Sequence, residues 1–136
     1  MSNFFHQYTL RVYYDDTDAG GIVYHANYLI FFERARTEWL RELGVVQSSL
    51  LTQDIAFVVR KVQMDNLTSA KFDDLLTVKS QITQTKKASI VFSQKLYNQA
   101  GVLICQAEVL VACVRLSLAK PCAIPTNILG VLKSAC

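Results

Sequence analysis

Between Tyr14 and Tyr28 the chain reads Tyr-Asp-Asp-Thr-Asp-Ala-Gly-Gly-Ile-Val-Tyr-His-Ala-Asn-Tyr. Three kinds of group capable of chemistry meet in this segment. Carboxylates stand just upstream of the Gly20-Gly21 pair, His25 follows, and a helical periodicity begins at Tyr28. A helix start presents unsatisfied N–H groups and about half a positive charge. Such N–H groups stabilise the negative charge that develops on a carbonyl oxygen under attack. A carboxylate opposite can attack the carbonyl itself or take a proton from an attacking water. Glycines, Gly21 among them, let a ligand approach the backbone closely because no Cβ stands in the way. These are parts for acyl transfer, with Asp18 and His25 as catalytic candidates and Gly21, Tyr24 and Asn27 beside them as candidate substrate-binding positions. Each also has a plainer reading. Asp15 and Asp16 read as turn residues, His25 equally as a structural imidazole, Asn27 as a helix cap and Glu33 as a solvated helix charge.

The elements that must hold these residues follow from periodicity. Tyr8 to Tyr14 alternate with period two and read as a strand, and Asp15–Gly21 as a turn or loop. From Tyr28, apolar residues recur at helical spacing through Leu29, Phe32, Leu40 and Leu43, with Arg36 on the same stripe. Gly44 stops this amphipathic helix and Asn27 is a credible cap. Four long extended runs follow: Ile55–Leu67, Leu75–Thr85, Ala88–Tyr97 and Val102–Leu118, with a turn over Asn98–Gly101. Pro121 and Pro125 are expected to end the regular structure. One long helix against five antiparallel strands gives an α+β class. The apolar surface left over calls for a homodimer or homotetramer.

Composition narrows the function classes. The chain has 136 residues, enough for a single domain over 1–136. With 51% hydrophobic and 18% charged residues it stands apart from disordered chains. The net charge of +3 is spread rather than gathered into a stripe, apart from Arg60-Lys61 and Lys86-Lys87, which argues against nucleic acid. No uninterrupted apolar run approaches a membrane span, and Met1–His6 lacks the pattern of a leader, so a cytoplasmic location is expected. Cys105, Cys113, Cys122 and Cys136 form no Cys-x-x-Cys pair and have no His at zinc-ligand spacing. Cys105 and Cys113 read as buried reduced thiols, and no metal is implied.

The motif D-T-D-A-G-G-I-V-Y-H-A-N-Y at 16–28, followed by F-F-E-R-A-R at 31–36, resembles the 4-hydroxybenzoyl-CoA thioesterase family of hotdog proteins. It is most similar to the YbgC-type branch of bacterial acyl-CoA thioesterases associated with the Tol–Pal cell-envelope system, from Tyr8 to the ending at Lys120–Pro125. The resemblance implies a hotdog, a sheet wrapped around a central helix, with sites between subunits. It implies Asp18 as nucleophile or general base, and the backbone N–H of His25 as the group that polarises the thioester carbonyl. It implies that a basic pair, here Lys86 and Lys87 with Ser89 close by, contacts the phosphates of coenzyme A; a solvated hairpin end is the equal alternative for that pair. Coenzyme A enters as part of the substrate, and no separate cofactor is implied. Ala19-Gly20 stands where the founding enzyme has Pro-Ala, which favours short-chain acyl groups over 4-hydroxybenzoyl. Two other readings stand beside the hydrolase. One is a thioester hydratase or dehydratase using His25 with Glu33. The other is a module that binds acyl carrier protein or envelope-biogenesis partners.

Overall fold

The computed structural model describes residues 5–136, so most of the leader reading made on Met1–His6 lies outside the described residues. Strand β1 spans His6–Arg11, earlier than its alternation suggested, because Tyr14–Asp16 wind into a single 3-10 turn. Helix α1 covers Asn27–Glu42 and a short helix α2 covers Gln47–Leu51. Strands β2 (Ile55–Asn66), β3 (Leu75–Thr85), β4 (Ser89–Tyr97) and β5 (Leu103–Arg115) follow. They form one antiparallel sheet in the order β1-β3-β4-β5-β2, with α1 packed against it. This is the expected α+β arrangement.

The C-terminal region departs from expectation. Lys120–Pro121 form a two-residue strand β6 on β5, so the sheet has six strands, and Thr126–Ser134 form a helix α3. Pro121 therefore sits in an edge strand, where a proline is tolerated. Pro125 precedes a helix rather than ending structure, as suits its fixed φ. Helix α3 buries Ile128 and Leu132 one turn apart in the common core.

Helix α1 forms where the spacing placed it. Tyr28, Phe31, Phe32, Ala35, Trp39 and Leu40 turn one face into the core. Facing them from the sheet are Ile90, Phe92 and Leu96 of β4 at alternate positions, and Gln94 between them. Leu29, expected on the inward stripe, is exposed beside Ile30. The left-handed Gly44 follows the helix, as expected. Cys105 and Cys113 are buried, and burial pushes both thiols up to about 12. Among the described residues no helix is long and apolar enough to cross a membrane.

Candidate active site

The segment with the carboxylates folds as a tight hairpin leading into α1. Thr17 pairs antiparallel with Val23; the Asp18 N–H donates to the Ile22 carbonyl at 3.0 Å and the Tyr24 N–H to the Asp16 carbonyl at 3.1 Å. Gly21 closes the turn at φ 77°, a conformation that L side chains rarely adopt. Asp18 stands exposed at the tip, its Oδ1 accepting the Gly20 N–H at 2.8 Å. A Cβ on Gly20 would come within 3.3 Å of that oxygen. With Tyr13, Tyr14 and Thr17, Asp18 lines a shallow open depression.

A second loop braces the hairpin against the helix. The Ala70 carbonyl accepts the Val23 N–H at 2.8 Å, the Phe72 N–H donates to the Gly21 carbonyl at 3.1 Å, and Lys71 pairs with Ile22. The buried Ala70 N–H donates in turn to the hydroxyl of Tyr28 on α1 at 3.0 Å. Burial raises the Tyr28 pKa, so the hydroxyl stays protonated at neutral pH. Tyr28→Phe leaves the Ala70 N–H buried without an acceptor. It should cost about 1–3 kcal/mol in urea unfolding, and a loss below the error of extrapolation would show that this bond does not brace the loop.

At the helix start, the Tyr24, His25 and Ala26 carbonyls accept N–H groups from Asn27, Tyr28 and Leu29. The His25 and Ala26 N–H groups have no hydrogen-bond partner among the described residues. Two donors at the positive end of α1 are thus left free, as helix geometry dictates. The His25 ring is exposed and lies 4.7 Å from the Tyr24 ring. Asn27 does not cap the helix. It is the first helical residue, and its side-chain N–H donates to Asp16 Oδ1 at 3.1 Å. Asp16 Oδ2 accepts the Tyr13 N–H at 2.9 Å. Asp16, read from sequence as only a turn residue, is therefore also the carboxylate that ties the hairpin to α1. Sequence carries no signal for this, since Asp16 and Asn27 are eleven positions apart.

A groove of about 470 Å³ runs beside the first turns of α1. Leu29, Ile30, Glu33 and Arg36 form one wall; Phe57, Val58 and Val59 of the edge strand β2 form the other. Glu33, Arg36, Thr37 and Gln47 are the polar exceptions in a largely apolar lining.

On the sheet, a depression of about 620 Å³ gathers Arg60, Lys61, Lys86 and Ser89, with Glu108 as the one acid. Register shifts at Arg60 in β2 and at Thr83 in β3 border it. A strand points successive side chains to opposite faces, and a bulge breaks that alternation. Arg60 and Lys61 can then line the same hollow. Lys87 does not line it; its carbonyl instead accepts the Ile124 N–H at 2.8 Å. The structure thus brings Lys86 and Ser89 together, sets Lys87 apart, and adds Arg60 and Lys61 to the same hollow.

Comparisons with known proteins show the family to which the chain is similar. Residues 12–132 match the family described as the thioesterase-like superfamily. The acyl-CoA thioester hydrolase YbgC of Escherichia coli O157:H7 is 44% identical over 98% of this chain and 99% of its own. The acyl-CoA thioesterase YbgC of Haemophilus influenzae is 49% identical over 89% of each chain. Among solved structures, a probable thioesterase from Bartonella henselae superposes with a TM-score of 0.82 at 36% identity, covering 89% of this chain and 99% of that one.

Proposed function

This chain belongs to the thioesterase-like superfamily, and from that premise we propose that it is an acyl-CoA thioesterase of the hotdog fold, hydrolysing acyl-CoA to a carboxylic acid and coenzyme A. The observation that carries the reading is the pair of unpartnered N–H groups at the start of α1, joined through one short hairpin to the exposed carboxylate of Asp18. A thioester carbonyl set against the His25 N–H has its developing oxyanion stabilised by a donor fixed before the reaction begins. Asp18 then either attacks the carbonyl carbon or takes the proton of an attacking water. The thiolate of coenzyme A leaves, and water supplies the hydroxyl of the acid. In this reading the His25 ring, exposed beside Tyr24, helps to orient the thioester. The test is release of free thiol from acyl-CoAs by the purified chain; no release from any ester would overturn the reading.

The apolar groove supplies the path for the acyl group. Its outer wall is the free edge of the sheet, where Val58, Val59 and Val62 are exposed next to Leu29 and Ile30 of α1. A second copy seated on this edge would cover that surface and turn the groove into a channel between subunits. Homodimers have self-complementary interfaces of this kind. The basic depression supplies the grip on the nucleotide phosphates. Lys61→Ala combined with Lys86→Ala should raise KM for acyl-CoA several-fold with little change in kcat, and should weaken the salt dependence of binding. Lys87→Ala should do much less. Equal effects of Lys86→Ala and Lys87→Ala would detach the depression from substrate.

A further inference from the structure

Arg36 is a charged residue in a place that charge avoids. It is only 8% exposed, on the core-facing stripe of α1, and its guanidinium lies 6.0 Å from the centre of the Phe92 ring. Charged side chains are almost never buried this far without a partner of opposite sign. Among the described residues Arg36 has no carboxylate within ion-pair distance. Its one side-chain hydrogen bond runs from Nη1 to Gln94 Oε1 at 2.9 Å. Gln94 is itself fixed, donating to the Phe32 carbonyl at 3.0 Å and to Ser80 Oγ at 2.9 Å. The guanidinium is thus clamped from the sheet side by a buried, oriented amide. Burial pulls its pKa down to about 10, so it stays charged at neutral pH. It lines the apolar groove, and five N–H donors on a rigid fork exceed what Gln94 can take.

Position supplies the second half of the argument. Arg36 comes nine residues after Asn27, the first residue of α1. Long side chains on a helix lean back over the preceding turn, so the guanidinium covers the groove about one and a half turns, roughly 8 Å, from the helix start. An acyl group whose thioester carbonyl meets the His25 N–H and whose tail enters the groove reaches this cation with a short chain.

Resting on the thioesterase reading above, we propose that Arg36 is a specificity-determining residue, a guanidinium at the wall of the acyl groove that selects short acyl groups ending in a carboxylate or another strong hydrogen-bond acceptor. A plain alkyl end would leave the cation buried and unmatched, whereas an anionic end receives charge-assisted hydrogen bonds. Sites built around a buried polar group discriminate strongly against ligands that leave it unpaired.

The experiment compares succinyl-, glutaryl- and adipyl-CoA with butyryl-, pentanoyl- and hexanoyl-CoA, reading kcat/KM by thiol release. The native chain and Arg36→Met are compared, each first shown to be folded by its thermal transition. At one chain length or more, the native chain should favour the carboxylated ester by about 10-fold or more, the size of one charge-assisted hydrogen bond. Arg36→Met should erase or invert that ratio, and Arg36→Lys should keep part of it. A purely structural role would lower both esters together and leave the ratio fixed, which overturns the proposal. So would a native preference for the alkyl ester at every length. Should Arg36→Met instead shift the monomer–dimer equilibrium in sedimentation with the ratio unchanged, the cation serves a carboxylate of a second copy and the proposal falls. No thiol release from any ester by the native chain overturns the hydrolase reading itself, and this inference with it. Release with an unchanged ratio overturns this inference alone.

Discussion

Asp18→Asn should lower kcat for acyl-CoA hydrolysis by at least ~10²-fold, the low end for loss of a positioned acid or base, with KM nearly unchanged. The substitution is chosen for what it keeps. Asn has the same shape, and its Oδ1 can still accept the Gly20 N–H that Asp18 Oδ1 accepts at 2.8 Å, so the hairpin retains its turn. What goes is the negative charge and with it the ability to attack a carbonyl or hold a proton. Asp16→Asn is the matched control. Asp16 is bonded to the Tyr13 N–H and to Asn27, and an amide at that position can replace only part of this, so a loss of stability and a smaller loss of rate are expected. Full activity in Asp18→Asn would remove Asp18 from the mechanism. If Asp16→Asn were then the inactive variant, the carboxylate tied to the helix start would take its place.

The frame of this site was legible in the sequence because it depends on local pattern. The helix from Tyr28, the stop at Gly44, and strand β3 at Leu75–Thr85 follow from period, breaker and alternation. What escaped depends on contacts between distant residues. Nothing near Asn27 announces that its amide bonds Asp16 rather than the helix end. Regular alternation puts Arg60 and Lys61 on opposite faces, and only a register shift against β5 joins them to Lys86. Helix α3 was hidden by reading Pro125 as a terminator, when Ile128 and Leu132 at helical spacing behind it were the better signal. Arg36 on the apolar stripe was visible, but its burial was not, because a long side chain there could equally have reached water.

Gln94→Leu should be the most destabilising isosteric change in the core, costing about 3 kcal/mol or more in urea unfolding, because it leaves several buried groups unmatched at about 1–3 kcal/mol each, a charged one among them. Gln94 occupies an inward position of β4 between Phe92 and Leu96, where alternation calls for an apolar residue. Leu would fit that position and gain apolar burial. It would also strip the acceptor from the Arg36 guanidinium and the donor from both the Phe32 carbonyl and Ser80 Oγ, where α1 meets the sheet. Unmatched buried groups cost far more than a made hydrogen bond contributes, and against a total stability of about 5–15 kcal/mol the loss is large. The same reasoning fixes the sign of the double variant. With Arg36→Leu also present, the stranded charge is gone and only neutral groups remain unmatched. The pair should therefore cost less than the sum of the singles by about 1 kcal/mol or more. If the native chain keeps a cation here at that cost, its use lies in the groove that the guanidinium faces. Additive singles, or a cost for Gln94→Leu below about 1 kcal/mol, would mean that the guanidinium finds water without Gln94 and is not held in place for a ligand.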